Sequence, residues 1–305
     1  KRALNNGKKA GVGKAKLKAL TQKLVSVKVG NNLIQAPSQA EIQKLLNHYQ
    51  NGQYVDAEKL AMSITEQFPE HQFSWKVLGV VLKQIGRISE SLVAGQKAVD
   101  LDPQDAEAHS NLGNTLRELK KLDEAEASCR RAIALKSDFA EAHTNLGITL
   151  QELGRSKDAE ASYRKAIALK SDFAEAHSNL GITLQELGRS KDAEASFRQA
   201  IAFKSDYAEA HYNLGNTLQE LVRLKDAEAS YRKAIALKPD YPKAHNNLGN
   251  TLRDSGRLED AEASYRKAIA LKADYAEAYC NLGNTLKELG RSKDAEASYR
   301  KAIAL

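Results

Sequence analysis

Histidine side chains are the first candidates for chemistry in this 305-residue chain, since they could hold a metal ion. Five of them follow one another at intervals of 34 residues: His109, His143, His177, His211 and His245. In equivalent helices of a stacked structure they would lie roughly 9–10 Å apart, whereas zinc holds its ligand nitrogens at about 2.0–2.1 Å. No cysteine or second histidine lies one helical turn from any of them. We therefore predict half-buried packing histidines, no metal site and no cofactor.

The two cysteines offer little more chemistry. Cys129 and Cys280 are separated by more than four repeats of the 34-residue period, too far for a disulfide, which needs Cα atoms within about 7 Å. Cys129 takes a position that is aromatic in most repeats, so we expect it to be buried, whereas Cys280 falls among polar residues. No apolar segment near the N-terminus has the flanks of a signal peptide, and we expect a cytoplasmic protein.

The 34-residue interval runs through most of the sequence and indicates a tandem array. Counting Ala106 as position 1, we place full repeats at 38–71, 72–105, 106–139, 140–173, 174–207, 208–241 and 242–275, and a partial one at 276–305. Repeats 140–173 and 174–207 differ at only five positions. A catalytic site needs different residues in distinct roles, whereas an array repeats the same ones. We predict that this chain is not an enzyme.

Two short amphipathic helices, here called helix A and helix B, are predicted in each repeat. In repeat 140–173, apolar residues recur at helical spacing in both halves: Ala142, Leu146 and Leu150, then Ala159, Tyr163 and Ala166. Gly154 stands where a left-handed residue would end helix A, and Asp172 is predicted to be the N-cap of the next helix A. The chain is therefore expected to be all-α, with a solenoid at 38–305 after a flexible leader at 1–37.

The repeated residues resemble the tetratricopeptide repeat over 38–305. Repeat 72–105 carries the pattern most fully, with Trp75, Leu78, Gly79, Gly86, Ala98 and Pro103. The resemblance implies a right-handed α-α superhelical solenoid that binds peptides or proteins. Lys120 and Val222 replace the glycine of the turn, and we expect strain at Val222 because a β-branched residue disfavours positive φ.

Asparagine is the most informative residue of helix A. It occupies position 6 in six consecutive repeats, as Asn111, Asn145, Asn179, Asn213, Asn247 and Asn281, and position 9 in four of them, as Asn114, Asn216, Asn250 and Asn284, with Ile148 and Ile182 in the other two. An amide has an acceptor and two donors, so a row of them could pair with successive peptide groups of an extended chain. Such an Asn-lined concave groove resembles the superhelical arm of bacterial protein O-linked N-acetylglucosamine transferase-like proteins. The alternative is that these amides bond to the neighbouring repeat or to water.

Charge divides the chain into two parts. Residues 1–36 contain nine basic and no acidic side chains, so the formal net charge of +7 leaves −2 for the remainder. Position 2 of the repeats from 106 onward is Glu except at Lys243, and position 13 is always Glu or Asp, which favours neutral or basic peptide ligands and disfavours nucleic acid. Nucleic acid or an anionic surface remains possible only through the basic leader. The arginines of the A–B turns, Arg155, Arg189, Arg223, Arg257 and Arg291, are interpreted as a solvated rim.

A second tetratricopeptide mode of binding, the clamp for chaperone C-termini, is disfavoured by the residues. Asn114 and Asn145 supply its amides, but the lysines that it needs at position 5 are replaced by Ser110, Thr144, Ser178, Tyr212, Asn246 and Cys280.

The chain begins at Lys1 and stops within a repeat at Leu305, so we expect a fragment of a larger protein. The resemblance makes a glycosyltransferase the first expectation for a domain downstream of Leu305, with this chain as its substrate-recruiting arm. The alternative is a freestanding assembly scaffold, or one that associates end to end through an uncapped C-terminal repeat. The sequence contains no candidate membrane span.

Overall fold

A computed structural model describes residues 36–305, and every regular element in that range is an α-helix. This confirms the all-α prediction. The predicted leader at 1–37 lies outside the described residues except for its last two. The described chain divides into two compact units, 36–138 and 139–305.

The first unit contains three helix pairs. Its helices are α1 (Gln39–Gln50), α2 (Tyr54–Gln67), α3 (Gln72–Gln84), α4 (Ile88–Leu101), α5 (Ala106–Glu118) and α6 (Leu122–Leu135). Ser38 forms a capping box with Glu41 at the start of α1, and the Asp105 carboxylate accepts from the backbone N–H groups of Glu107 and Ala108 at the start of α5. Both caps satisfy amide groups that the helix leaves without a partner.

The second unit contains five helix pairs, one for each repeat from 140 onward. Its helices are α7 (Ala140–Glu152), α8 (Ser156–Leu169), α9 (Ala174–Glu186), α10 (Ser190–Phe203), α11 (Ala208–Glu220), α12 (Leu224–Leu237), α13 (Pro242–Asp254), α14 (Leu258–Leu271), α15 (Ala276–Glu288) and α16 (Ser292–Ile303). Each helix packs against the next one along the chain, and each helix A also packs against the helix A of the next repeat. The A helices therefore form one continuous face of this unit.

The core of each repeat is a narrow seam of small and large side chains. In repeat 140–173, Ala142, Ala159 and Tyr163 have no exposed surface, and Leu150 is 2% exposed. The alanines allow the helices to approach closely while the aromatic ring fills the space between them.

A missing side chain at position 8 of helix A makes that approach possible. A Cβ atom built on Gly147 would lie 2.6 Å from Cε1 of Tyr163, and one on Gly215 would lie equally close, 2.6 Å, to Cε1 of Tyr231. Glycine at this position therefore lets the aromatic ring of helix B lie directly against the backbone of helix A.

The turns between helices A and B confirm the sequence prediction. Gly154 has φ of +75°, and Lys120 and Val222, which replace the glycine elsewhere, have φ of +60° and +58°. The Val222 side chain is 77% exposed, so no packing offsets the steric cost of that conformation.

The predicted cap at Asp172 is wrong. Helix α9 begins at Ala174, its N-cap residue is Phe173, and no side chain caps it. Position 34 is aromatic at the start of every helix A in the second unit, and its ring packs against neighbouring residues instead of hydrogen-bonding to the helix.

Candidate functional site

The helix A face of the second unit carries the predicted asparagines. Positions 3, 7 and 11 point into the core, as Ala210, Leu214 and Leu218 do in α11, each at most 5% exposed. Positions 6 and 9 lie on the other side of the helix, where Asn213 and Asn216 are half-buried. An apolar stripe of helical period thus places the two asparagine columns on the surface that successive A helices share.

The position-9 asparagines are tied to the aromatic residue of helix B. Each of three tyrosine hydroxyl groups donates to the Oδ1 atom of an asparagine at 2.8 Å: Tyr231 to Asn216, Tyr265 to Asn250 and Tyr299 to Asn284. These amides therefore anchor the buried tyrosines, and their carbonyl groups are already engaged. In the first unit, Asn114 Oδ1 accepts from Arg117 at 2.8 Å.

The position-6 asparagines fall into two groups. Asn247 Nδ2 donates to Asn216 Oδ1 at 2.9 Å and to the Tyr212 hydroxyl at 3.1 Å, and Asn281 Nδ2 donates to Asn246 Oδ1 at 3.1 Å. For these two asparagines the structure confirms the alternative prediction, in which the amide bonds to the neighbouring repeat. Asn246 itself is fully buried at 0% exposure.

The other group is Asn179 and Asn213, which are half-buried and whose side-chain amides have no hydrogen-bond partner among residues 36–305. The acceptor of Asn247 is position 9 of the repeat upstream, and that position is Ile148 before Asn179 and Ile182 before Asn213. An isoleucine cannot accept the bond that Asn216 accepts from Asn247. In the same column Asn145 is half-buried, and Asn111, in the first unit, is exposed.

The histidine column ties each helix A to the loop before it. Nε2 of His177 donates to the Ser171 carbonyl at 3.0 Å, and Nε2 of His245 donates to the Pro239 carbonyl at 3.4 Å. Trp75 makes the same contact, from Nε1 to the Pro69 carbonyl at 2.8 Å. Burial lowers the pKa of His211 and of His245. The packing role predicted for this column is confirmed, and no group of metal-binding side chains occurs within residues 36–305.

The interpretation of the turn arginines as a solvated rim is wrong. Four of them, Arg189, Arg223, Arg257 and Arg291, reach back to a glutamate in helix B of the previous repeat, as Arg189 does to Glu160 at 2.9 Å and Arg223 to Glu194 at 2.8 Å. Burial opposes the ionised form of Glu160, but hydrogen bonds from Arg164 and Arg189 outweigh it and lower the pKa. The arginines thus link successive repeats, although such partly exposed pairs each contribute little to stability.

Some of the acidic side chains on the helix A face also have partners within the array. Glu186 Oε2 accepts from Ser156 Oγ at 3.0 Å, and Glu220 Oε2 accepts from Ser190 Oγ at 2.9 Å. Glu209 lies 3.4 Å from Lys238 Nζ. The acidic character of the face is therefore partly neutralised by neighbouring repeats.

Sequence reasoning missed the set of contacts that surrounds position 5. In repeat 72–105 that position is Lys76, only 9% exposed, and its Nζ lies 2.6 Å from Asp105 Oδ2. In repeat 208–241 it is Tyr212, whose ring centroid lies 4.9 Å from that of Tyr241. The sequence did contain an indication of these contacts: positions 5 and 34 both change between repeats that are otherwise nearly identical.

Models of known protein families match the repeats of this chain. Models described as tetratricopeptide repeat match residues 104–172, 144–204, 179–242, 230–263 and 276–305, and one described as TPR repeat matches 79–116 and 249–290. The matches together run without a gap from residue 79 to residue 305, well over half of the chain. The chain belongs to the tetratricopeptide repeat family.

Solved tetratricopeptide structures share the fold. YrrB, described as a TPR protein with an unusual peptide-binding site, is 25% identical with a TM-score of 0.51, over 61% of this chain and 95% of that one. MamA is 26% identical with a TM-score of 0.50, over 52% of this chain and 93% of that one. A chain of the Cut9–Hcn1 hetero-tetramer of the APC/C is 16% identical with a TM-score of 0.64, and this chain, 95% of which aligns, spans 56% of it.

A comparison with curated proteins finds no match. Within residues 36–305, no helix is both long and apolar enough to cross a membrane.

Proposed function

We propose that this tetratricopeptide chain binds an extended peptide along the helix A face of residues 139–305, through hydrogen bonds from the side-chain amides of Asn179 and Asn213 to the peptide backbone. The repeats and their structural relatives support a protein-interaction scaffold in general. The observation that supports the narrower proposal is that these two half-buried amides have no partner among the described residues, whereas Asn247 and Asn281 do. A half-buried amide without a protein partner can still donate and accept hydrogen bonds, so it is available to a peptide backbone.

The geometry of the array sets the spacing of the contacts. Equivalent residues of adjacent repeats are about 8–10 Å apart, the packing distance of helices. An extended peptide rises about 3.3 Å per residue, so two amides one repeat apart would meet peptide groups about three residues apart. YrrB, described as having a peptide-binding site, is consistent with this use of the fold. Carboxylates at positions 2 and 13 favour a ligand that is neutral or basic overall.

The test is binding of peptides selected from a random twelve-residue library. Asn179→Ala combined with Asn213→Ala should weaken the best selected peptides about tenfold, since each lost amide bond is worth about 0.5–1.5 kcal/mol. Gln199→Ala, which removes an exposed amide from helix α10, is the matched control and should leave affinity unchanged. N-methylation of single peptide groups should weaken binding as much as the asparagine changes do. Equal affinity of the double variant and the native chain would contradict the proposal.

The resemblance to the arm of O-linked N-acetylglucosamine transferases supports a narrower role, in which the bound peptide is a protein substrate of a glycosyltransferase domain in the same protein. The measurement is O-linked N-acetylhexosamine on captured partner proteins, by mass spectrometry, in cells that express the complete protein. The double asparagine variant should lower that modification. Partners that are captured but never carry the sugar would point instead to a freestanding assembly scaffold.

A further inference from the structure

Three positions come together between several neighbouring repeats of the same unit: position 5, position 34 of the same repeat and position 2 of the following repeat. In the first unit, Lys76 Nζ lies 2.6 Å from Asp105 Oδ2 and 3.4 Å from Glu107 Oε2. In the second unit, Asn246 Nδ2 donates to Glu277 Oε1 at 3.0 Å in the same register. We call each such trio a node.

The nodes differ among the repeats while the asparagine beside them stays constant. In the second unit they are Thr144, Phe173 and Glu175; Ser178, Tyr207 and Glu209; Tyr212, Tyr241 and Lys243; and Asn246, Tyr275 and Glu277. Position 6 is asparagine in every one of these repeats. A constant group can contact a peptide backbone whatever its sequence, whereas variable neighbours could distinguish its side chains.

The third of these nodes reverses the charge of the column. Lys243 occupies a position that is glutamate in the other repeats from 106 onward, and it is exposed. It forms no ion pair with any residue between 36 and 305. Two carboxylates act on the tyrosines of this node, Glu209 on Tyr241 and Glu277 on Tyr212, and each has a partner of its own, Lys238 for Glu209 and Asn246 for Glu277.

Tyr241 is a hydrogen-bond donor at neutral pH, whereas the Tyr212 hydroxyl already accepts from Asn247 Nδ2 at 3.1 Å. Burial, with smaller contributions from the charges of Tyr212 and Glu209, holds the pKa of Tyr241 well above its usual range. Its hydroxyl therefore keeps its proton, and it has no acceptor among the described residues. Lys238 Nζ lies 4.7 Å from the centroid of the same ring, so a second cation stands nearby.

We infer that the node of Tyr212, Tyr241 and Lys243 is a subsite for a carboxylate side chain, Asp or Glu, of the bound peptide. The Tyr241 hydroxyl and the Lys243 ammonium have no partner among the described residues, and a donor beside a cation is what a carboxylate requires. The inference rests on the proposed function and adds a residue preference to it. Because Asn213 directly follows Tyr212 in α11, the acidic residue would lie within about three residues of the peptide group that Asn213 contacts.

Three synthetic peptides test the subsite. Each is a fluorescein-labelled twelve-residue chain of Ser, Thr and Ala that carries one central residue, Glu in the first, Gln in the second and Lys in the third, and affinity is measured by fluorescence anisotropy. We expect the Glu peptide to bind about fivefold more tightly than the Gln peptide. The preference should shrink at high salt, since the contact is partly exposed.

Two variants that copy other repeats serve as probes that should fold. Lys243→Glu restores the residue found at position 2 elsewhere and should reverse the preference, so that the Lys peptide binds best. Tyr212→Ser restores the serine of positions 110 and 178, and it should bring the affinities for the Glu and Gln peptides closer together.

The outcomes separate the two proposals. If the three peptides bind equally, or if Lys243→Glu leaves their order unchanged, the carboxylate subsite is wrong while peptide binding stands. If none of the peptides binds up to millimolar concentration, or if binding ignores Asn179→Ala with Asn213→Ala, the proposed function fails and this inference fails with it.

Discussion

Repeats 140–207 and repeats 208–275 carry the same asparagine at position 6, but its surroundings differ. In the first pair, position 9 is isoleucine, and the amides one repeat downstream, Asn179 and Asn213, have no partner among the described residues. In the second pair position 9 is asparagine, and Asn247 bonds to Asn216. We call the two regions open and closed. The difference shows that one residue type in one register can hold repeats together or be left without a protein partner, depending on a neighbour one repeat away.

The largest expected effect tests whether the two regions share one scaffold. Gly181→Ala in the open region and Gly215→Ala in the closed one should each lower the free energy of unfolding by about 1–3 kcal/mol, because the added Cβ overpacks the seam. That atom would lie 2.7 Å from Cε1 of Phe197 or 2.6 Å from Cε1 of Tyr231. Urea unfolding followed by circular dichroism measures both, with Gln199→Ala as a neutral control. A clear difference between the two glycines would mean that the regions also differ in packing.

The second prediction compares the asparagines themselves. Asn247→Ala should lower the free energy of unfolding by about 1–2 kcal/mol, since it removes the bonds that Nδ2 donates to Asn216 and Tyr212 and the one that Oδ1 accepts from Asn246. Asn179→Ala, the same change in the open region, should cost less than about 0.5 kcal/mol, as other substitutions without a buried contact do. The same urea titrations decide it, and equal losses would erase the distinction between open and closed.

The third prediction concerns the turn that begins in the closed region. Val222→Gly should raise the free energy of unfolding by about 0.5–1 kcal/mol, because it relieves a β-branched residue at φ of +58°. The converse change, Gly188→Val, places valine at φ of +72° in the open region and should destabilise by a similar amount. Thermal unfolding of the pair is sufficient. Destabilisation by Val222→Gly would show that the exposed valine has a packing partner.

The smallest expected effect is on peptide affinity. It is tested by substitutions that give position 9 of one region the residue found in the other. Ile182→Asn would give Asn213 the acceptor that Asn247 has in Asn216, so affinity for library-selected peptides should fall about threefold, roughly the worth of a single net hydrogen bond. Asn216→Ile should have a weaker effect in the opposite direction, since Asn247 Nδ2 loses one acceptor and keeps Tyr212, while Tyr231 keeps its bond to Gln219. Anisotropy titrations measure both. Unchanged affinity in Ile182→Asn would show that position 9 does not control the amide.

Much of the fold can be predicted from local patterns that a single sequence shows. The 34-residue period, the apolar spacing in helix α7 and the glycine at position 154 all predicted what the structure contains, because each depends on residues within one repeat. The predictions that failed depended on other repeats. Asp172 does not cap helix α9, and Arg189 bonds to Glu160 in place of water.

The sequence predicted which helix face carries the asparagines, but not which of their amides have a hydrogen-bond partner in the array. The sequence placed Asn179 and Asn247 in one column and could not distinguish them. The residue that decides whether each amide has a partner lies 31 residues earlier in the chain: Asn216 accepts from Asn247, whereas Ile148 offers Asn179 no acceptor. The contact between Tyr212 and Tyr241 was missed for the same reason, because position 5 and position 34 meet only when repeats stack.

The sequence by itself determined the repeat, its two helices and the face that each asparagine occupies, because helical periodicity and glycine at the turn act over a few residues. Only the tertiary structure decided which asparagines remain available, which arginines link repeats and which side chains meet at each node. Those outcomes depend on pairs of residues that stacking brings within hydrogen-bonding distance. Whether a side chain stabilises the array or is left without a protein partner is therefore decided by its neighbour more than by its own type.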